Sequence, residues 1–271
     1  MNAKQPIGVF DSGIGGLTIL KSLIDSMPFE SYIYLGDSLH APYGEKPTEE
    51  IIALSNTCVK YLIDHGCKII VVACNTATGA AINQLRQRYP AIAFIGLEPA
   101  IKPACLATKT GNIGVLATEG TFKGSHFKTT SEKYNAYVNI HTQIGYGLVD
   151  LAESNQIETI QTRVLLKSYI DPLIEKNIDQ LVLGCTHYPF FHHIISELCG
   201  QEIRILDSGD AVARRTKDVL MTNGLLNTDR NIGDCLILTS GSLDSIKTTW
   251  YNHRGNIDGS YRFEQVKLQY V

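Results

Sequence analysis

Two short apolar runs that each end in a cysteine constrain this chain most. Leu181-Val182-Leu183-Gly184 leads into Cys185-Thr186-His187-Tyr188-Pro189, and Val71-Val72-Ala73 leads into Cys74-Asn75-Thr76-Ala77-Thr78. Continuous apolar runs of this length, followed by polar residues able to start a helix, read as parallel strands buried on both faces. Such strands deliver a side chain to the carboxyl edge of the sheet, where α/β proteins bind ligands. A cysteine there lies at the mouth of the next helix, whose unpaired N–H groups stabilise a thiolate and can hold a carboxylate. One such cysteine is equally well read as a core residue, because free cysteine is commonly buried. Two of them, each beside hydroxyl, amide or imidazole groups that a core has no use for, point to two thiols facing one ligand.

The chain is long enough at 271 residues for two ordinary domains or one large one. Its 44% hydrophobic and 19% charged residues describe a soluble globular protein with no run approaching a membrane span. Residues 1–6 lack the basic and apolar regions of a secretory signal, so a cytoplasmic location is expected. Seven cysteines without a CxxC spacing suit reduced thiols better than a disulfide framework. A net charge of −3 with no Lys/Arg block gives no support to nucleic-acid or membrane-surface binding.

Along the chain, strands are expected at 7–10, 32–37, 68–73 and 92–96, with helices between them. The turn Asp11-Ser12-Gly13-Ile14-Gly15-Gly16 matches neither GxGxxG nor a Walker loop, so a phosphate site is a weak reading. Asp11 at the strand end is better placed to orient or deprotonate a ligand. Pro42-Tyr43-Gly44 offers a fixed bend, an aromatic wall and a close backbone approach, although a plain surface turn explains it as well. Beyond two prolines at 99 and 103 the pattern restarts. Ile113-Gly114-Val115-Leu116-Ala117-Thr118 echoes Ile7-Gly8-Val9-Phe10-Asp11-Ser12, and each precedes its cysteine by a similar interval, so the chain reads as two related halves. In the second half a strand is expected at 136–141, a helix with Ile157, Ile160 and Val164 on its apolar side, and the Cys185 strand at 181–184. A strand at 203–206 then leads to a helix capped by Asp207-Ser208-Gly209-Asp210. Strand-like stretches at 236–239 and 261–266 follow, and their pattern does not say which half they join. The predicted fold is α/β, with parallel sheets covered on both faces and sites at the strands' carboxyl ends.

Two thiols suit proton transfer at carbon. A base on one face can remove a proton and an acid on the other can replace it, inverting the centre, whereas a single base returns the same enantiomer. A thiol with an ordinary pKa near 8.5 is roughly a few per cent ionised at neutral pH and a helix mouth increases that fraction, so one of the two can be thiolate while the other stays protonated. Asp11 and His187 are natural partners for tuning the pair.

The segments Gly8 through Gly16, Tyr34-Leu35-Gly36-Asp37, Pro42-Tyr43-Gly44, Ala73-Cys74-Asn75-Thr76-Ala77 and Leu183-Gly184-Cys185-Thr186-His187-Tyr188-Pro189 resemble, in order, the signature segments of bacterial glutamate racemases. The resemblance runs from about residue 7 to about residue 215, ending with Asp207-Ser208-Gly209 and Ala213-Arg214-Arg215. It implies a cofactor-independent isomerase that needs no metal and supplies D-glutamate for peptidoglycan. It implies Cys74 and Cys185 as the acid/base pair, Cys74 acting on D-glutamate and Cys185 on L-glutamate, with Asp11 and His187 assisting. Substrate contacts carry over onto Asp11, Ser12, Tyr43, Gly44, Asn75, Thr76, Thr118, Thr121, Glu153, Thr186 and His187. It further implies two similar doubly wound domains with the site in the cleft between them, the tail returning to the first: residues 1–97 plus 208–271, and 98–207. A homodimer is expected. Ser38-Leu39-His40-Ala41 departs from the Thr-Ala-Arg-Val type of sequence in many relatives. The chain begins only a few residues before its first strand, so regulation by a peptidoglycan precursor through an N-terminal extension is not expected.

Aspartate racemase is the competing reading within the superfamily, and the Asn-Thr-Ala and Cys-Thr-His-Tyr-Pro segments together fit the glutamate branch better. A zinc site built from Cys74, Cys185 and His187, with His192 and His193 nearby, is the alternative of another class. It lacks the closely spaced ligand pairs of structural zinc and the His and carboxylate set of most catalytic zinc. An amino-acid-binding module would not need two thiols.

Overall fold

The computed structural model describes residues 1–255 and 257–270. The elements run β1 (Ile7–Asp11), α1 (Leu17–Ser26), β2 (Tyr32–Gly36), α2 (Thr48–Asp64), β3 (Ile69–Val72), α3 (Asn75–Arg88), β4 (Ala93–Gly96), α4 (Ile101–Ala107), β5 (Asn112–Ala117), α5 (Glu119–Lys123) and α6 (Ser125–Tyr134). They continue with β6 (Asn139–Ile144), α7 (Leu148–Glu153), α8 (Ile160–Ile174), β7 (Gln180–Gly184), α9 (His192–Cys199), β8 (Arg204–Leu206), α10 (Gly209–Thr222), β9 (Asp234–Thr239), α11 (Leu243–His253) and β10 (Ser260–Gln265).

Two sheets result, ordered β10-β9-β2-β1-β3-β4 and β6-β5-β7-β8. Every described pairing is parallel. The order β2-β1-β3-β4 is matched by β6-β5-β7-β8, so the two halves seen in the sequence are two copies of one strand arrangement. Cys74 follows β3 and Cys185 follows β7, the equivalent strands. The tail joins the first sheet, β9 pairing with β2 and β10 with β9. The first sheet is packed on both faces, one against α1, α10 and α11 through Leu20, Leu220 and Trp250, the other against α2 and α3 through Val59 and Leu85. Burial on both faces is why β1, β2 and β3 read as unbroken apolar runs.

Helix α2 starts at Thr48, with Pro47 in the cap position. Three local expectations are corrected. The 136–141 strand lies instead at β6, because Tyr134 to Val138 close the end of α6 with a backbone turn. Helix α8 buries Thr162, Leu166, Ile170 and Leu173, whereas Ile160 and Val164 are exposed. Its start is set by Thr159, whose hydroxyl accepts from the Thr162 N–H at 3.1 Å and fixes the helix phase. Finally, no α-helix follows Cys185 directly: Tyr188–Phe191 form a 3₁₀ turn with Pro189 in its first turn, and α9 begins at His192.

Candidate active site

The carboxyl ends of β1, β3, β5 and β7 converge between the two sheets. Ser12, Tyr43, Gly44, Cys74, Asn75, Thr76, Thr118, Thr121, Cys185, Thr186 and His187 line one cavity there, together with Pro42 and Val149. The space it encloses, together with the solvent at its mouth, is about 270 Å³, and among the described residues no Lys or Arg lines it. Both thiols are nearly inaccessible, Cys74 at 5% and Cys185 at 7% exposure.

Cys74 is the cap residue of α3, and its sulfur accepts from the Ala77 N–H at 3.4 Å. It also donates to the Ser12 hydroxyl at 3.5 Å. The helix mouth expected from sequence is therefore present, but it does not win. Burial, followed by the Asp11 carboxylate, pushes the Cys74 thiol up to about 12, against the opposing pull of Ala77 and Ser12. Burial and Asp11 thus favour Cys74 as the protonated acid of the pair.

Cys185 lies 3.8 Å from Nδ1 of His187, whose Nε2 is 2.7 Å from Oε1 of Glu153. Burial opposes a charged imidazole, but the Cys185 thiol and the Glu153 carboxylate together lift His187 well above its usual value. Glu153 thus stands behind His187 and not on the cavity wall. The same Oε1 accepts from the Ile14 N–H at 2.7 Å, tying α7 of the second domain to the glycine turn of the first. Asp11 also stands one layer back. Its Oδ1 accepts from the Gly13 N–H at 2.9 Å and its Oδ2 from the Thr186 hydroxyl at 3.1 Å. Full burial lifts Asp11 to about 6, although His187 and the Gly13 N–H pull the other way.

On the opposite wall, hydroxyls of Thr76, Thr118 and Thr121 form a chain with 2.9 Å steps, anchored by Thr121 donating to the Gly184 carbonyl at 3.3 Å. The Asn75 side-chain oxygen is buried without a hydrogen-bond partner. A buried acceptor left open is costly, so it suits a ligand donor. Tyr43 donates to Asp37 at 2.7 Å and forms the aromatic wall.

Sequence reasoning missed the work of two glycines. A Cβ on Gly13 would overlap the Glu153 carboxylate, and one on Gly15 would overlap His187 and come within 2.6 Å of the Thr186 hydroxyl. The GxGG turn is bare so that the second domain can close on it, not so that a phosphate can approach. Asp37 was also missed as a site residue. Its place one residue beyond β2, like that of Asp11 at the end of β1, was the available signal. Among the described residues no three His, Cys, Asp or Glu side chains are grouped as a metal site. No described helix is long and apolar enough to cross a membrane.

Two parallel α/β domains closing on a cavity that receives one thiol from each define a two-domain, thiol-bearing α/β enzyme. The chain belongs to the Asp/Glu/Hydantoin racemase family, whose model matches residues 17–216. It is 44% identical over 237 residues to a glutamate racemase of Herpetosiphon aurantiacus, covering 88% of this chain and 93% of the relative. Among solved structures, it is similar to a glutamate racemase isoform from Bacillus anthracis, with a TM-score of 0.87, 31% identity and 98% coverage of both chains. It is also similar to the Francisella tularensis glutamate racemase in complex with D-glutamate, with a TM-score of 0.83, 28% identity and 98% coverage of both.

Proposed function

We propose that this chain is a glutamate racemase that interconverts L- and D-glutamate by a two-base mechanism without a cofactor. The observation that carries the reading is the arrival of Cys74 and Cys185, on equivalent strands of different domains, at a single cavity.

In the L to D direction, the Cys185 sulfur takes the α-proton. The C–H bond breaks, an S–H bond forms, and the electron pair spreads into the α-carboxylate. The Cys74 thiol then delivers its proton to the opposite face, leaving a thiolate there. The D to L direction reverses the two jobs. Cys74, held as the protonated acid by burial and by Asp11, starts in the state that the L to D direction requires, and in the D to L direction it must first lose that proton. His187 is placed to hydrogen-bond the Cys185 sulfur as it carries charge, with Glu153 fixing the ring. The substrate ammonium is met by Asp11, across Ser12, and by the open Asn75 oxygen. The carboxylates are met by hydroxyl and N–H donors of Ser12, Tyr43, Gly44, Thr76, Thr118, Thr121 and Thr186, since no described Lys or Arg lines the cavity. Supply of D-glutamate for peptidoglycan, a cytoplasmic location, a homodimer and a domain division at 1–97 plus 208–271 against 98–207 belong to the same proposal.

The purified protein should racemise either enantiomer of glutamate without pyridoxal phosphate, nucleotide or metal, and a chelator should not slow it. Aspartate should be turned over far more slowly, because its shorter side chain leaves wall donors unpaired. Circular dichroism of each amino acid over time reads this directly. A strict need for pyridoxal phosphate would overturn the mechanism, and comparable turnover of aspartate would move the chain to the neighbouring specificity.

A further inference from the structure

Asp37 is fully buried and accepts four side-chain donors. Tyr43 donates to its Oδ2 at 2.7 Å, Ser240 to its Oδ1 at 2.7 Å and Tyr270 to its Oδ1 at 2.6 Å, while His40 Nδ1 lies 3.0 and 3.1 Å from the two oxygens. Two of these donors, His40 and Tyr43, belong to the loop that carries the aromatic wall of the cavity. Ser240 and Tyr270 come from the tail. The tail reaches the loop by alternation: beyond β10, Val266 and Leu268 pack against the core cluster that contains Tyr43, and Tyr270 is the next residue on that side. The Tyr270 ring meets the His40 ring edge-on at 4.3 Å between centroids. Gly44, next to Tyr43, lies so close to Thr118 that a Cβ there would stand 2.9 Å from the threonine Cβ, so the loop position also sets the contact between domains.

We propose that Tyr270 is a positioning residue for substrate binding: through Asp37 it holds Tyr43 and loop 38–45 in the shape that completes the cavity wall. The inference rests on the racemase reading for its kinetic consequence, but not for its structural one. A buried carboxylate with every donor in place fixes its neighbours, whereas one that loses a donor becomes a costly acceptor that draws water or shifts its remaining partners. Burial and Asp37 together push the Tyr270 hydroxyl up, so it remains a donor throughout the working pH range.

Tyr270→Phe removes only the hydroxyl and keeps the ring against His40, and Tyr270→Ala removes both. For each variant, steady-state racemisation of both enantiomers, amide hydrogen exchange and thermal unfolding are compared with wild type. Tyr270→Phe should raise KM for both enantiomers by roughly three- to tenfold, the worth of one hydrogen bond, with kcat within about twofold. Exchange at 38–46 should speed up, and Tyr270→Ala should go further in the same direction. Unchanged KM overturns the inference, as does a loss confined to kcat with a lower unfolding midpoint, which would mark a merely structural role. If wild type converts no glutamate, the racemase reading fails. Exchange at 38–46 then decides the positioning role alone, unaltered exchange overturning it and faster exchange supporting it.

Discussion

The Thr186 hydroxyl donates across 3.1 Å to Oδ2 of Asp11, so the residue just past the second-domain cysteine steadies the carboxylate that acts on the first-domain cysteine. The dependence runs the other way too, because the Ile14 N–H of the first domain holds Glu153, and Glu153 holds His187 beside Cys185. Each thiol is therefore tuned by groups that are in place only when the domains are closed.

Gly15→Ala tests that closure. Nothing in the backbone at Gly15 forbids alanine, but the added methyl would meet His187 and Thr186. The domain that carries Cys185 must then sit further out. Misplacement of about 1 Å at a reacting centre can cost on the order of 10² in rate, so kcat/KM should fall by about that factor. Circular dichroism and the unfolding midpoint of the ligand-free variant should stay close to wild type. Full activity in Gly15→Ala would show that the site tolerates a looser approach.

Asp11 gives the pH dependence a sign. Its carboxyl is raised from an ordinary 3.8 to about 6 by burial, so the folded state disfavours its charged form. Its contribution to stability is fully present below pH 4 and is lost as pH rises through about 6, by about 3 kcal/mol if the whole shift is realised. Asp11→Asn should therefore gain stability relative to wild type between pH 4.5 and 7.5, as read by urea unfolding at both. The acidic limb of kcat/KM should report the same group, activity falling as pH drops below about 6 in wild type. That limb should disappear in the low residual activity of Asp11→Asn. A difference in stability that does not change with pH would mean that Asp11 stays charged throughout.

The cysteines were legible because a buried strand and the polar residues after it are both local, and so was the doubling of the fold. What escaped depended on distance. Gly13 and Gly15 look like any turn until Glu153, Thr186 and His187 arrive from the other domain. The pattern of the tail strands could not assign them, because nothing in Leu236 or Phe263 names its partner; the resemblance alone implied their return to the first domain, where β9 packs beside β2. For α8, apolar residues lie on two sides of the helix, so periodicity alone could not choose between Val164 and Leu166. Which of the two thiols stays protonated was not legible, for an energetic reason: at Cys74 a 3.4 Å contact with one helix N–H does not offset full burial beside a carboxylate.

Thiols on opposite faces must have separable jobs, and that separation is the sharpest test of the mechanism. Serine keeps the size of cysteine but is a far weaker acid and base. Cys74→Ser and Cys185→Ser should each reduce racemisation by roughly 10² to 10⁴ in both directions, since every turnover uses one residue as base and the other as acid. In heavy water the wild-type protein should place deuterium mainly in the inverted product, because the incoming proton comes from a thiol equilibrated with solvent. An analogue that eliminates a leaving group after deprotonation needs only the base. With such a substrate Cys74→Ser should fail mainly on the D form and Cys185→Ser mainly on the L form, each retaining most activity on the other. Equal loss by both variants on both enantiomers would rule out one thiol per face and leave a single shared base as the mechanism to consider.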